Sequence, residues 1–213
     1  MTGRVESLCR ACQVEAKVDG VALSVLSSAG VPETVFVTDP RSRLVEDLQF
    51  TLGEGPCVTA ARSRSPVLIE DLRAITAATR QWLAFVHEAE SSGICAVFAF
   101  PVQVGAIALG TLGLYRARPG PLEPGELRAA LRTVDHMASA LLDLGLPGGD
   151  GVPEAAYRME VHQAAGMVMV QTDSSIASAL ARLRATAFSE GVPINDLAAD
   201  VVAGRRRFFK EEQ

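Results

Sequence analysis

Residues 147–153, PGGDGVP, constrain the chain more than any other stretch. Two prolines and three glycines in seven positions cannot continue a helix, and they make a natural linker. On either side the patterning changes. Strand-like and helix-like stretches alternate over residues 1–146, whereas residues from 154 to about 203 are helical by pattern, with a basic tail after them.

Before the break, an amphipathic helix over about residues 4–17 leads into the apolar GVALSVLSSA and then PETVFVTD, two expected strands separated by a turn. SRLVEDLQFTL has helical spacing. GEGPCVTAARSRSPVLIEDL is expected to form a loop, a short helix and a short strand ending at Asp71. RQWLAFVHEAESSG places Trp82, Phe85, Val86 and Ala89 on one side of a helix that Gly93 can close. ICAVFAFPVQV and GAIALGTLGLYRA form the strongest strand pair, and they meet near Val104 and Gly105 as a hairpin. A long helix, 123–146, follows. Its Leu127, Leu131, Val134, Met137 or Ala138, and Leu141 or Leu142 form a stripe suited to a sheet face or a dimer seam. This order predicts an α+β domain, an antiparallel sheet with helices packed on it.

After the break, Ile176, Leu180, Leu183 and Ala187 make one apolar helix face, with Asp173 or Ser174 as N-cap and Gly191 as the stop. Ile194, Leu197, Ala198, Val201 and Val202 repeat the pattern between Pro193 and Gly204. With the helix before them, these segments predict an all-α bundle of three helices.

Composition narrows the function classes. Hydrophobic residues are 48% of the 213, which argues against disorder, and the net charge of −5 argues against coating nucleic acid by bulk charge. Without an apolar run long enough for a membrane span or a signal peptide, a cytoplasmic protein is expected. Cys9, Cys12, Cys57 and Cys95 fit reduced thiols better than a disulfide framework. Cys9 and Cys12 form a C-x-x-C, but no second pair at zinc spacing follows, so no metal site is expected. Catalytic residues are not expected either. LGEGPC lacks the rest of a phosphate loop, and His87, His136 and His162 lie far apart without partner motifs. Phe98, Phe100, Ile107 and Cys95 are the candidates for a small-molecule pocket between sheet and helices, although the phenylalanines would serve equally as core. No cofactor motif is evident. Cys57, beside such a pocket, could sense oxidants.

Arginine is placed unevenly in the C-terminal segment. Arg182 and Arg184 flank the apolar face of the middle helix, and GRRRFFK groups Arg205, Arg206, Arg207 and Lys210. Arginine suits phosphate forks and stacking on exposed bases. Over residues 153–213 the sum is nevertheless seven Lys and Arg against eight Asp and Glu, a net charge of −1.

VHQAAGMVMVQTDSSIASALARLRATAFSEGVPINDLAADVVAGRRRF, residues 161–208, resembles an ANTAR domain, the RNA-binding output module of bacterial transcription antitermination regulators. The resemblance rests on Ala164, Gly166 and Met167 or Val168, on Gln171, on Ala179, Leu180, Leu183 and Ala187, and on Ala198 and Val201. LGEGPCVTAARSRSPVLIEDL and FAFPVQVGAIALGTLGLYR resemble a GAF domain, a ligand- or signal-sensing α+β module, over about residues 4–146. The pairing is similar to the GAF–ANTAR regulators of actinobacteria. It implies that the chain binds stem-loops in a transcript leader and favours the antiterminated structure, with input through the GAF part because no receiver domain is evident. Under the resemblance, Ala164, Ala165 and Gly166 are small to admit another helix, while Met167, Val168 and Val170 pack. His162, Gln163, Arg182, Arg184, Arg205 and Arg206 are the candidate RNA contacts. The expected partners are stem-loop RNA, a second copy of the chain and an unidentified small ligand. Two other readings stand beside this one. The bundle could read duplex DNA, which Asp196 and Asp200 on the last helix oppose, or it could serve only as a dimerising adaptor.

Overall fold

The computed structural model describes residues 2–27, 30–74, 76, 79–144 and 156–209. The expected linker, 147–153, and Lys210 lie outside the described residues. The chain divides into two compact units, residues 1–50 with 54–151 and residues 51–53 with 152–213.

The first unit is built on five antiparallel strands. In chain order its elements are α1 (Thr2–Glu15), β1 (Gly20–Leu26), β2 (Pro32–Val37), α2 (Pro40–Leu52), α3 (Pro56–Ser63), β3 (Val67–Ile69), a 3-10 turn (Thr79–Trp82), α4 (Leu83–Ser91), β4 (Ala96–Val104), β5 (Ile107–Arg116) and α5 (Pro124–Asp143). The strand order across the sheet is β2-β1-β5-β4-β3. Val104 pairs with Ile107 across a two-residue turn in which Gly105 has φ 57°, and glycine reaches that region at no steric cost.

Local chemistry sets the helix starts. The Asp39 carboxylate accepts hydrogen bonds from the backbone N–H groups of Arg41 (2.9 Å) and Ser42 (3.1 Å), which caps α2 just before Pro40. Glu123 and Glu126 form a capping box at the start of α5, with Pro124 in the first turn.

Alternation along the strands sorts residues onto two faces. Val21, Leu23 and Val25 of β1, Phe98 and Phe100 of β4, and Leu112 and Leu114 of β5 share one core with Cys9 and Cys12 of α1 and Met137, Ala138 and Leu141 of α5. The stripe on α5 therefore divides: those last three pack on the sheet, while Leu131 and Leu142 are exposed. On the opposite face α3 covers β4, and Cys57, Ala60 and Ala99 pack together.

The second unit consists of α6 (Ala156–Thr172), α7 (Ile176–Glu190) and α8 (Ile194–Val202), each packed on the other two. Its buried seam is Val161, Ala164, Ala165 and Val168 of α6, Ala179, Leu180, Leu183 and Ala187 of α7, and Ile194, Leu197, Ala198 and Val201 of α8. Ser175, rather than Asp173 or Ser174, caps α7: its hydroxyl accepts from the N–H of Ser178 (3.1 Å), and the chain leaves α6 through Asp173 at φ 51°. Gly191, at φ 65°, stops α7 as the sequence suggests. Ile176 and Val202, expected on the apolar faces, are exposed because each falls at an outer end of its helix.

The HQAAGMVMVQ segment also needs correcting. Ala164, Ala165 and Val168 do pack, but Val170 is 75% exposed and Met167 is exposed as well. A Cβ built on Gly166 would meet nothing within 4 Å, so no close helix approach requires that glycine. Residues 164, 165 and 168 fall on the helical stripe that faces α7 and α8, and 167 and 170 fall on the outward stripe.

Candidate functional site

The α2–α3 face of the sheet holds the largest concentration of buried polar side chains among the described residues. Ser24 of β1, Thr34 of β2, Glu46 and Gln49 of α2, and Thr111 of β5 are all buried there, as are Tyr115 of β5 and Cys57 of α3. Four of them donate to the Glu46 carboxylate: the Ser24 hydroxyl at 2.6 Å, the Gln49 amide at 3.1 Å, the Thr34 hydroxyl at 3.3 Å and the Tyr115 phenol. No ion pair among the described residues reaches Glu46, so neutral dipoles alone satisfy this buried acid. Gln49 extends the network by accepting the backbone N–H of Cys57 (2.8 Å), and the Cys57 thiol lies 3.7 Å from the Tyr115 hydroxyl.

Glycine makes room for it. A Cβ on Gly113 would stand 2.6 Å from the Tyr115 hydroxyl and 3.0 Å from the Cys57 sulfur. The tyrosine ring thus lies back along its own strand, over the space that a side chain at 113 would fill. Burial, reinforced by neighbouring groups, pushes the pKa of both Cys57 and Tyr115 well above their ordinary values. A thiol held neutral in this way is a poor nucleophile, so the environment does not favour the oxidant-sensing role considered for Cys57. Chemically the cluster is a neutral-donor cradle around one carboxylate, closed by residues from five elements.

Residue Tyr115 serves this face, and its neighbour Arg116 serves the other. The Arg116 guanidinium bonds Glu126 at 2.7 Å, the carbonyls of Ala16 (2.9 Å), Lys17 (3.2 Å) and Pro121 (2.9 Å), and it lies 5.6 Å from the Phe98 ring centroid. It ties the end of β5 to the end of α1 and the start of α5. The Glu126 carboxyl is held below its ordinary pKa, chiefly by the hydrogen bond from Arg116.

The four expected pocket residues do not converge. Phe98 and Phe100 are core on the α1–α5 face, because their alternation in β4 turns them away from α3. Ile107 is 61% exposed beside the hairpin turn, and Cys95, half-buried ahead of β4, contributes backbone hydrogen bonds to Arg116 and Leu72. A surface cleft of about 620 Å³ does lie against α4, but it is lined by Leu72, Arg73, Arg80, Leu83, Val86 and Glu90.

In the second unit the candidate RNA contacts fall into three groups. His162 and Gln163 lie on α6, the first half-buried and the second exposed. Arg182 and Arg184 on α7 are half-buried, and Arg182 donates to the carbonyl of Phe209 (3.3 Å). Arg205 and Arg206 are exposed but engaged, Arg205 with Asp200 (2.7 Å) and Arg206 with Glu190. Two of the expected cations are thus partly neutralised by their own unit. Gln171, one of the residues that carry the resemblance, accepts the N–H of Phe208 on its side chain (2.9 Å). Sequence reasoning passed over Phe209, which is 79% exposed beside the arginines. The adjacent RRRFF was the signal available for it. The buried cluster was missed too, although Glu46 and Gln49, three residues apart on the same helix face as Val45 and Phe50, hinted at it.

A family model described as GAF domain matches residues 5–142. No curated protein matches the chain. Among solved structures, the GAF domain of an Acinetobacter phosphoenolpyruvate-protein phosphotransferase is similar at 12% identity and TM-score 0.52, over 71% of this chain and 89% of that one. The GAF domain of a two-component sensor histidine kinase from Bacillus halodurans is similar at 11% identity and TM-score 0.50, over 68% and 96%. A third, the photoproduct state of a GAF domain from Synechocystis, gives 14% identity and TM-score 0.51 over 67% and 93%. At these identities the likeness is one of fold. Among the described residues no helix is long and apolar enough to cross a membrane.

Proposed function

Because the chain belongs to the GAF domain family through residues 5–142, we propose that it is a signal-responsive regulator whose second unit binds RNA. On this reading the GAF unit receives the signal, and α6–α8 recognise stem-loops in a transcript leader and favour the antiterminated form. No chemical step is assigned to either unit.

One observation carries the output half. Ala164, Ala179, Leu180, Leu183, Ala187, Ala198 and Val201, residues on which the resemblance to an ANTAR domain rests, are all buried in the seam between the three helices. A motif that doubles as a bundle's packing code leaves the outer faces to vary with the target. Arg182 and the 205–209 segment then lie together on the surface. The input half is supported by the closed network around Glu46, since a ligand or modification that competes for Tyr115 or Glu46 must rearrange groups from five elements at once. A dimer completes the proposal, because two bundles on one particle gain effective concentration on paired stem-loops.

The test is binding of the full-length protein to a paired stem-loop RNA from its own operon leaders, beside duplex DNA of equal length, at two salt concentrations. Preference for the RNA, weakened by R182A, supports the reading, and equal or absent binding to both overturns it.

A second reading has a specific observation behind it. Met159, Met167 and Val170 of α6 are exposed on one helical stripe, which suits an adaptor that only dimerises. For that case V170E would abolish self-association in light scattering, and no RNA binding would accompany the dimer.

A further inference from the structure

Residues 205–209 leave α8 without regular structure, yet they are held at many points. The backbone N–H groups of Arg205 and Arg206 donate to the carbonyl of Asp200 (2.8 and 3.1 Å). Side chains of Arg205 and Arg206 pair with Asp200 and Glu190. Further on, the N–H of Phe208 donates to Gln171 on α6, and the carbonyl of Phe209 accepts from Arg182 on α7. All three helices thus fasten this short segment.

What the fastening leaves outside is specific. The Phe209 ring is exposed although its own carbonyl is tied down, and the exposed Arg207 makes no ion pair among the described residues. An anchored backbone that holds an apolar ring in water forgoes burial of that ring, and it spends little ordering entropy when a flat partner covers it. A cation two residues away on the same segment sets the chemistry of that partner: a flat π-face linked to an anion. An unpaired nucleotide has both, whereas a base inside a duplex offers its neighbours on either face and has none to give.

We propose that Phe209 is a stacking platform for an unpaired base of the RNA loop, with Arg207 on the adjoining phosphate and Gln171 and Arg182 positioning the segment. This rests on the RNA-binding reading above, and it names the part of the RNA that is recognised. It also moves the contact away from Arg205 and Arg206, which serve as anchors.

The experiment uses the full-length protein and two probes, a stem-loop RNA with an unpaired loop and the same stem closed into a blunt RNA duplex. Phe209 is exposed, so F209A retains the fold. F209A should weaken loop RNA binding about tenfold or more, the size of one lost base–aromatic stack, and leave duplex RNA unchanged. F209W should retain affinity, and its indole fluorescence should be quenched by loop RNA. The native Trp82 is buried, so the wild type provides the blank. R207Q should weaken loop and duplex alike. If the wild type binds loop RNA and F209A matches it, or loses loop and duplex equally, the stacking assignment is wrong while the RNA reading survives. If the wild type binds neither RNA, both fall together.

Discussion

At the scale of single residues, burial decides what the side chains can do. Cys9 has its pKa pushed up to about 12 and Cys12 to about 11, in both cases mainly by burial, and Cys57 is raised as well. Among the four thiols only Cys95 is not fully buried. An aromatic disulfide reagent should therefore titrate one thiol per native chain at neutral pH and all four after unfolding, with C95S abolishing the native signal. Two or more fast thiols in the native protein would contradict the burial. Gly113 offers a sharper check. G113A puts a methyl group against the Tyr115 hydroxyl and the Cys57 sulfur, and overpacking of this kind costs about 1–3 kcal/mol. Denaturant unfolding should show that loss in G113A, and the double variant G113A/Y115F should recover part of it.

Among the elements, β5 carries the most. Consecutive residues serve opposite faces, Tyr115 the buried network and Arg116 the junction of α1 with α5. Truncating one partner of a buried ion pair leaves the other uncompensated, at about 3–5 kcal/mol, and Arg116 and Glu126 are both buried. R116A should lower unfolding stability by that order at neutral pH. The sign with pH follows from Glu126, whose pKa is lowered in the folded chain from its ordinary 4.5. Its contribution is present above that value and is lost as pH falls through the lower, folded one. The gap between wild type and R116A should narrow as the medium is acidified below pH 4.5. A gap that stays constant in acid would show that Arg116 acts through its carbonyl contacts instead.

For the whole molecule, charge limits the partner. The chain carries −5 and its second segment is close to neutral, so any affinity for RNA must come from a few placed groups. With Arg205 and Arg206 engaged internally, the RNA-binding reading expects two or three phosphate contacts from the described residues of the second unit. The slope of log K against log salt for loop RNA should then be shallow, roughly −1.4 to −2.1 at about −0.7 per phosphate. A slope steeper than about −4 would mean that the internal ion pairs open on binding.

The sequence by itself determined the kinds of element, their order and most of their ends, because helix and strand periodicity, Pro and Gly breaks and capping residues act over a few neighbours. The hairpin at Gly105, the stop at Gly191 and the seam of α6–α8 were all legible in that way. Which face of a strand meets which layer is settled at longer range. Phe98 and Phe100 read equally well as pocket or core until α1 and α5 covered them. The Glu46 network draws on β1, β2, α2, α3 and β5, with Tyr115 separated from Glu46 by 69 residues, and no local pattern encodes that meeting. Likewise, Arg205 and Arg206 look like free cations in the chain. Only folding brings Glu190 within reach of Arg206, and the turn after α8 brings Asp200 back to Arg205, because an ion pair depends on distance in space.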